Sequence, residues 1–379
     1  MDVEPPAATT RRVRVALVGV GLVGQAGHAI TLAQEQERFD WVAVVDPSAE
    51  AREAVAGRYG VPHTAATVEE ALSLGLEAVV VAVPDPAHRD VCLTALRAGL
   101  HVFCEKPLAT SLAEVDELIA ARGDRVLQVG YMKLYDPAVE RMAAMLREGG
   151  DEVVYLAVEV NDPDQAPFVD HLDMVAGRDV PRSLVEDTRR RGEAAVELAL
   201  GRTPTPSQAR AFEAYLGALV HDVSLAHHLL AAAGVAAPLP LTDAAHFDQG
   251  RGVSLSWRLP GDGHAHLTHL NLPGVSSYRE RVTAYCRDRV LELTFPSPYL
   301  RHHPTQLVEI RSAPTEPGRP AVGLTTTDCR VSYEEAYSNE LRAFHASITT
   351  GAPVRADAEG ARADLAALLD ALRLACRQD

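Results

Sequence analysis

The chain has 379 residues, of which 47% are hydrophobic and 23% charged, and its formal net charge at pH 7 is −16. This length exceeds that of one ordinary domain, so we expect two domains, each with its own hydrophobic core. The negative charge would repel nucleic-acid backbones and anionic membrane surfaces, which excludes both as partners.

Residues 1–10 lack the apolar core of a secretory signal, and no later apolar run reaches the length of a membrane span. We therefore expect a cytoplasmic protein. The five cysteines are widely scattered and include no CxxC pair, which indicates buried thiols rather than a disulfide framework or a zinc site. They are Cys92, Cys104, Cys286, Cys329 and Cys376.

The first third of the chain alternates short β-rich apolar runs with helical patterns. Strands are predicted from Arg14 and at Trp41–Val45, Ala78–Val83, His101–Cys104 and Val126–Val129, with helices at Gly24–Gln36 and Ala49–Tyr59. This alternation predicts a parallel sheet with helices on both faces, which binds ligands beyond the carboxyl ends of its strands. We place this first domain at residues 11–133.

The second domain, residues 134–379, has a different pattern. A strand at Val153–Val160, a polar stretch and helices at Ser183–Leu200 and Gln208–Ala233 precede a series of strands. Those strands are predicted at Val253–Leu259, His264–Leu272, Tyr278–Cys286, Val290–Phe295 and Leu307–Ile310, before closing helices at Tyr333–Thr349 and Asp357–Arg377. Successive strands with short turns predict a mostly antiparallel sheet with helices on one face, so the fold class is α/β.

A glycine-rich turn follows the first strand. The segment Gly19-Val20-Gly21-Leu22-Val23-Gly24 fits the pattern GxGxxG between a predicted strand and a predicted helix. The first glycine permits the tight turn, the second lets the backbone approach a pyrophosphate, and the third lets the helix pack closely. The helix N-terminus offers amides to phosphate groups. The turn therefore predicts a dinucleotide site.

Asp46 ends the second predicted strand, where a carboxylate accepts hydrogen bonds from the adenosine ribose. The same charge would repel a 2′-phosphate. Pro47 and Ser48 follow, whereas the nearest arginines, Arg52 and Arg58, are more distant along the chain. We therefore expect NAD(H) as the cofactor rather than NADP(H).

Glu105-Lys106-Pro107 ends another strand of the same sheet, which directs Lys106 toward the place where a nicotinamide would lie. Partial desolvation beside that cationic ring would lower the pKa of a lysine, so that it could exchange a proton with a substrate hydroxyl. The alternative is a solvated salt bridge between Glu105 and Lys106.

Taken together, these motifs resemble those of the Gfo/Idh/MocA family, named after glucose-fructose oxidoreductase and inositol dehydrogenase. The resemblance spans nearly the whole chain. It comprises the glycines with His28, Asp46, residues 82–88 (AVPDPAH), residues 105–107 (EKP), residues 130–137 (GYMKLYDP), residues 338–344 and residues 350–353 (TGAP).

The resemblance implies an N-terminal Rossmann domain and a C-terminal α/β domain whose large open, mostly antiparallel sheet joins subunits into a homodimer or homotetramer. It implies an NAD(H)-dependent dehydrogenase or ketoreductase acting on a sugar, aminosugar, cyclitol or glycoside. The implied cofactor-binding residues are Gly19, Gly21, Leu22, Val23, Gly24, Asp46, Pro84, His88, Glu105 and Lys106. Lys106 is the implied catalytic residue beside the nicotinamide.

The family's second catalytic motif is an Asp-x-x-x-His pair on a helix, and this chain departs from it. His221 matches the histidine and is an acid/base candidate, because an imidazole exchanges protons near neutral pH. Gly217 stands where the aspartate is expected. Asp222 is adjacent to His221 but points about a hundred degrees away on a helix, so it either replaces the aspartate or meets the substrate or another face.

The expected substrate-binding residues are Tyr131, Lys133, Asp162, His171, His221 and Asp222. Tyr131 and Lys133 follow from the resemblance. Asp162 and His171 lie in a polar stretch with Asp164, Asp170 and Asp173 that could bind the hydroxyl groups of a polyol. We expect no metal, because His264 and His266 share one face of a strand while His269 lies on the other.

Two other functions stay compatible with these residues. A glycosidase could hold NAD permanently and oxidise its sugar only transiently. A non-catalytic NAD-binding regulator could retain the fold without the chemistry, and the glycine at position 217 keeps that alternative open, whereas Lys106 argues against it.

Overall fold

A six-stranded parallel sheet forms the first part of the computed structural model, which describes residues 11–149, 152–163, 165–313 and 323–377. Its strands are β1 (Val13–Val18), β2 (Phe39–Val45), β3 (His63–Ala65), β4 (Ala78–Val81), β5 (His101–Cys104) and β6 (Leu127–Val129), in the order β3-β2-β1-β4-β5-β6. This is the strand order of a dinucleotide-binding Rossmann fold, which places a ligand crevice where the order reverses, between β1 and β4.

Helices connect these strands. They are α1 (Ile30–Gln34), preceded by a π-helical stretch (Gly24–Ala29), then α2 (Ala49–Tyr59), α3 (Val68–Ala71), α4 (His88–Arg97) and α5 (Leu112–Arg122). The strands are almost entirely buried, as expected for a sheet covered on both faces. The predicted parallel sheet is confirmed.

The second sheet has eight strands: β7 (Val153–Asn161), β8 (Leu241–Phe247), β9 (Gly252–Arg258), β10 (His264–Leu270), β11 (Arg279–Cys286), β12 (Arg289–Phe295), β13 (Gln306–Ser312) and β14 (Leu324–Asp328). Their order is β14-β13-β12-β11-β7-β10-β9-β8. Only the β7–β10 pair among these strands is parallel, so the prediction of a mostly antiparallel sheet is confirmed.

The remaining helices are α6 (Pro137–Gly149), α7 (Ala166–Val169), α8 (Arg182–Leu200), α9 (Pro206–Ala214), α10 (Val220–Ala232), α11 (Ala336–Thr350) and α12 (Ala358–Ala375). Helices α6, α9, α10 and α12 contact strands of the second sheet. The alternate positions of β12, such as Glu292 and Thr294, are only half-buried, whereas Leu291 and Leu293 are fully buried. The sheet therefore has one covered and one open face.

The sequence analysis did not predict three of the strands, β3, β8 and β14. β3 is only three residues long, too short to show a period. The polar residues of β8 (Thr242, Asp243 and His246) do not alternate with apolar ones, and all five residues of β14 are exposed, so neither strand has the alternation of a half-buried strand. Two cysteines also differ from expectation: Cys286 and Cys329 are half-buried, whereas the other three are buried.

Within the described residues, no helix combines the length and apolar character needed to cross a membrane.

Helix α11 lies far along the chain but packs on the first sheet. Leu341 and Phe344 are fully buried in the core that contains Val13 of β1 and Phe39 of β2. The Phe344 ring meets Phe103 of β5 edge-on, with 5.8 Å between ring centroids. Helix α11, which belongs to the predicted second domain, thus packs on the sheet of the first domain. The domain boundary after residue 133 therefore stays a prediction.

Replacing Phe344 with alanine should therefore lower the free energy of unfolding by about 3–5 kcal/mol, because a fully buried ring leaves a cavity. Urea unfolding monitored by circular dichroism measures this change. Tyr333→Ala is the matched control: its side chain is 60% exposed, so its effect should stay within about 0.5 kcal/mol. Equal effects of the two substitutions would contradict this packing.

Candidate functional site

The glycine-rich turn has the geometry that its sequence predicts. Gly19 has a φ of +90°, and a Cβ there would lie 2.5 Å from the carbonyl oxygen of Ala82, so only glycine fits. A Cβ on Gly24 would collide with the Gly19 carbonyl, which shows how closely the helix packs on the turn. A Cβ on Gly21 would have no atom within 4 Å. Gly21 thus faces open space.

Asp46 ties the turn to the end of β2. One carboxylate oxygen accepts a hydrogen bond from the Val20 amide at 2.9 Å, and the other accepts one from the Ser48 amide at 2.8 Å. Each oxygen keeps lone pairs that can accept further hydrogen bonds. The Ser48 hydroxyl in turn caps α2 by accepting from the Ala51 amide at 3.0 Å. The carboxylate is therefore held at the mouth of the crevice.

A cavity of about 1200 Å³ occupies this crevice. That volume exceeds the roughly 300–1,000 Å³ typical of pockets for drug-sized ligands, so it has room for a dinucleotide. Nine of the ten expected cofactor-binding residues line it: Gly19, Gly21, Leu22, Val23, Asp46, Pro84, His88, Glu105 and Lys106. The tenth, Gly24, lies behind the turn. The glycine-lined wall, open at Gly21, and the acceptor Asp46 fit a dinucleotide.

Two histidines support the far end of the cavity. His88 is fully buried, and its ring nitrogens lie 2.7 Å and 2.8 Å from the carbonyl oxygens of Pro107 and Val83. His28 contacts the Glu105 carboxylate at 2.8 Å. Burial alone would raise the pKa of Glu105, but the hydrogen bond and charge of His28 and the neighbouring Lys106 lower it. Glu105 therefore stays ionised. Its carboxylate is buried against His28, which differs from the alternative of a solvated salt bridge with Lys106.

Lys106 extends from the end of β5 to the second half of the chain. Its ammonium group donates a hydrogen bond of 2.5 Å to the carbonyl oxygen of Gly217. Gly217 thus offers a main-chain acceptor where the family pattern has a carboxylate. This contact brings the end of the first sheet beside the helical segment that carries His221.

His221 lies at the start of α10, half-buried, with the Tyr131 ring edge-on at 6.3 Å between centroids. Burial, together with the positive charges of Lys106 and Lys133, lowers the pKa of His221 well below its ordinary value. The imidazole is therefore neutral at pH 7 and has a nitrogen lone pair available to accept a proton. Tyr131 is buried against it.

The ammonium group of Lys133 is buried between two carboxylates. Its ammonium group lies 2.7 Å from a carboxylate oxygen of Asp222 and 2.7 Å from one of Glu280. Burial alone would lower the pKa of Lys133, but the two carboxylates raise it above its ordinary value. Tyr278 donates a hydrogen bond to the other Glu280 oxygen. Asp222 therefore pairs with Lys133 rather than orienting His221.

The polar stretch contributes only part of what was expected. Asp162 is half-buried and accepts a hydrogen bond from the Gln165 side chain, and burial raises its pKa to about 6. The charges of Lys133 and Lys106 act on it in the opposite direction, which places it in the same cluster. His171 is exposed in a short helical turn, apart from this cluster. Asp164 lies outside the described residues.

The histidines of β10 do not converge on one point. The two ring nitrogens of His266 lie within hydrogen-bond distance of the Ser256 and Thr268 hydroxyl oxygens, at 2.8 Å and 2.9 Å. Among the described residues one group could hold a metal ion, formed by His28, Glu105 and Glu340, all buried. Burial and the charge of Glu105 raise the pKa of Glu340 well above its ordinary value, so a neutral carboxyl explains this group without an ion. The expected absence of a metal stays a prediction.

Sequence reasoning missed two contributors. Glu280, on β11, meets Lys133 only through the fold, and no motif marks it. Residues 174–177 and helix α8 line the dinucleotide cavity from the second half of the chain. Their composition resembles any solvated loop and helix, so no sequence pattern could have placed them there.

Asp162→Asn should stabilise the protein at alkaline pH. The ordinary pKa of aspartate is about 3.9, and that of Asp162 is about 6 in the folded protein, so the folded state binds this proton more tightly than the unfolded chain. The ionised carboxylate thus lowers the free energy of unfolding, and this effect is at its full size above pH 6. It decreases as the pH falls from 6 to 4 and is then lost.

We expect Asp162→Asn to gain about 2 kcal/mol at pH 8 and almost nothing at pH 4, measured by urea unfolding. Asp170→Asn, at an exposed position of the same stretch, is the control. A gain of the same size at both pH values would show that burial of the ionised carboxylate is not the cause.

Comparisons with known proteins agree with this geometry. Residues 13–131 match the model of the GFO_IDH_MocA family, described as an oxidoreductase family with an NAD-binding Rossmann fold. Inositol 2-dehydrogenase 3 of Saccharopolyspora erythraea is 34% identical over 167 residues, which are 43% of this chain and 49% of that protein. An inositol 2-dehydrogenase of Acidothermus cellulolyticus is 38% identical over 149 residues, covering 38% and 42% of the two chains. The matches thus span about half the length of these relatives.

Solved structures extend the likeness to the whole fold. The UDP-N-acetylglucosamine 3-dehydrogenase of Acidithiobacillus ferrooxidans superposes with a TM-score of 0.69 at 21% identity, covering 97% of this chain and 99% of that one. Myo-inositol 2-dehydrogenase of Lactobacillus plantarum gives 0.69 at 16% identity, covering 97% and 98%. At these identities the likeness concerns the fold. Residues 13–131 are thus similar to the NAD-binding Rossmann domain of the Gfo/Idh/MocA oxidoreductases.

Proposed function

We propose that the protein is an NAD(H)-dependent dehydrogenase or ketoreductase that acts on a CH–OH group of a sugar-like or cyclitol-like substrate. The observation that carries this proposal is the position of Lys106. It lines the dinucleotide cavity and donates a hydrogen bond to the carbonyl oxygen of Gly217, on the helical segment that leads to His221. A bound nicotinamide would supply or accept the hydride here.

The side chains here suit the proton that accompanies that hydride. When a CH–OH group is oxidised, its carbon loses a hydride and its oxygen loses a proton, which leaves a carbonyl group. His221 is neutral because burial and two nearby lysines lower its pKa, so a ring nitrogen has a lone pair free to accept that proton. Lys106 orients the substrate oxygen by donating a hydrogen bond, in place of the one it gives the Gly217 carbonyl. In the reductive direction His221 returns the proton.

The substrate pocket is polar around this point. Asp162, with a pKa of about 6, is available to accept hydrogen bonds from hydroxyl groups of the substrate. Lys133 and Asp222 are paired with each other, so their charges are partly neutralised before a substrate binds. The inositol dehydrogenases and the UDP-N-acetylglucosamine dehydrogenase among the similar proteins support a hydroxyl-rich substrate.

Two further features are part of the proposal. The open face of the second sheet carries aromatic rings, with Tyr155 5.8 Å from Tyr285 and 6.2 Å from His264 between ring centroids. We infer that this face joins two or four copies of the chain. A cytoplasmic location is proposed with it, because reducing conditions there keep a half-buried thiol such as Cys329 reduced.

Gly21→Val should abolish dinucleotide binding without unfolding the protein. The added side chain would project from Gly21 into the open crevice, where no protein atom lies within 4 Å of its Cβ. We expect the dissociation constant for NADH, measured by calorimetric titration, to rise more than about a hundredfold. The melting temperature should stay within a few degrees of the wild type. Unchanged NADH binding would show that the ligand lies elsewhere.

Lys106→Ala should lower kcat by about 10²–10⁴-fold, because an oriented proton-transfer site loses a member. The substrate is found by following absorbance at 340 nm with NAD and inositols, hexoses, aminosugars, UDP-N-acetylglucosamine and glycosides. The dissociation constant for NADH should change less than about threefold. Lys106→Arg is the matched control, since it keeps the charge but not the compact donor.

The same assay separates the other two functions. Release of aglycone from a glycoside without net NADH formation would support the glycosidase. NAD binding without turnover of any of these substrates would support a regulator. Full activity in Lys106→Ala would contradict the proposed site.

A further inference from the structure

Residues 172–181, which we call the strap, run from the polar stretch to the start of α8 across the first sheet's side of the cavity. Arg58 of α2 donates hydrogen bonds to the carbonyl oxygens of Leu172 and Asp173, at 3.3 Å and 2.5 Å. The Gln25 side chain, next to the glycine turn, exchanges two hydrogen bonds of 2.9 Å with the Val175 backbone. The strap is therefore fastened to both helices that flank the adenosine side.

The strap comes closest at Ser48. A Cβ on Gly177 would lie 2.7 Å from the side chain of Ser48, so the two segments are in direct contact. Two residues later, Asp179 accepts a hydrogen bond from the Ser48 hydroxyl and another of 3.2 Å from the Glu50 amide. These bonds lower the pKa of Asp179, so its carboxylate is ionised at neutral pH. A negative charge from the strap thus lies at the N-terminus of α2.

The negative charge of Asp179 affects which dinucleotide can bind. Asp46, two residues before Ser48, is the expected acceptor for the ribose hydroxyls, so a 2′-phosphate would extend toward the same helix N-terminus. A phosphate there needs free amide and hydroxyl donors and a cation. Asp179 already occupies the Ser48 hydroxyl and the Glu50 amide, and it would repel the phosphate.

The nearby arginines do not offset this repulsion. Arg52 donates to the carbonyl oxygens of Asp46 and Pro47 at 3.1 Å and 3.3 Å, and Arg58 is bound to the strap. Glu50 and Arg178 also lie at this contact, where the Glu50 carboxylate accepts a hydrogen bond of 3.3 Å from the Arg178 amide. Three carboxylates, those of Asp46, Glu50 and Asp179, thus lie around the N-terminus of α2, together with Arg52 and Arg178.

We propose that Asp179, supplied by the strap, is a specificity-determining residue that excludes the 2′-phosphate of NADP(H) by the repulsion of its negative charge and by occupying the hydrogen-bond donors that the phosphate needs. The inference rests on the proposed dinucleotide function and assigns the choice of cofactor to a carboxylate outside the glycine turn and β2. Asp46 and Asp179 act together: the first binds the ribose hydroxyls, and the second closes the space beyond them.

The test compares adenosine 5′-monophosphate (AMP) with adenosine 2′,5′-bisphosphate (2′,5′-ADP), which differ only in the 2′-phosphate, by calorimetric titration of the full chain. Asp179→Asn keeps the shape but removes the charge. We expect the preference for AMP to fall by about tenfold, chiefly because 2′,5′-ADP binds more tightly. Glu53→Gln, an exposed position of α2, is the control and should keep the wild-type preference.

A second measurement needs no variant. Raising the ionic strength from about 0.01 M to 0.15 M shortens the Debye length from about 30 Å to 8 Å, so the wild-type preference for AMP over 2′,5′-ADP should become smaller. If Asp179→Asn weakened the binding of both nucleotides equally, or left the preference unchanged, the proposal would be overturned. The strap would then only hold the two segments together. Failure of the wild type to bind AMP and NADH at all would instead contradict the proposed dinucleotide function.

Discussion

The buried ammonium group of Lys133 is the constraint on which the second half of the site depends. A buried charge is tolerated only when it is paired, and Lys133 contacts Asp222 of α10 and Glu280 of β11 at 2.7 Å each. These contacts fix α10 against the sheet and against the segment that leaves the first sheet. Since His221 precedes Asp222, the same ion pairs decide where the imidazole lies.

The first half of the site depends on a different constraint, the common edge at which parallel strands end. β1, β2, β4 and β5 end beside one crevice, so the glycine turn, Asp46, Pro84 and Lys106 meet there although they are far apart in sequence. The two halves touch where Lys106 donates to the Gly217 carbonyl. At the position where the family pattern has an aspartate, a backbone oxygen thus accepts the hydrogen bond of the lysine.

The sequence predicts the parts of this site that local motifs determine. The glycine turn and Asp46 were predictable because their spacing reflects one strand-turn-helix unit, and both line the cavity as expected. The pairing of Lys133 with Asp222 and the position of Asp179 were not, because these contacts join residues 89 and 131 positions apart, and no local pattern shows that the two ends meet. β14 was missed for a related reason, since an exposed edge strand lacks the alternation that marks buried ones.

Crystals grown with NAD and measured by X-ray diffraction test most directly whether a nicotinamide binds beside Lys106 and His221. We predict that the nicotinamide C4 lies near the Lys106 ammonium group and the His221 ring, with space for a reacting carbon about 3–3.5 Å away. A dinucleotide bound in the crevice with its nicotinamide directed away from Lys106 would contradict this prediction.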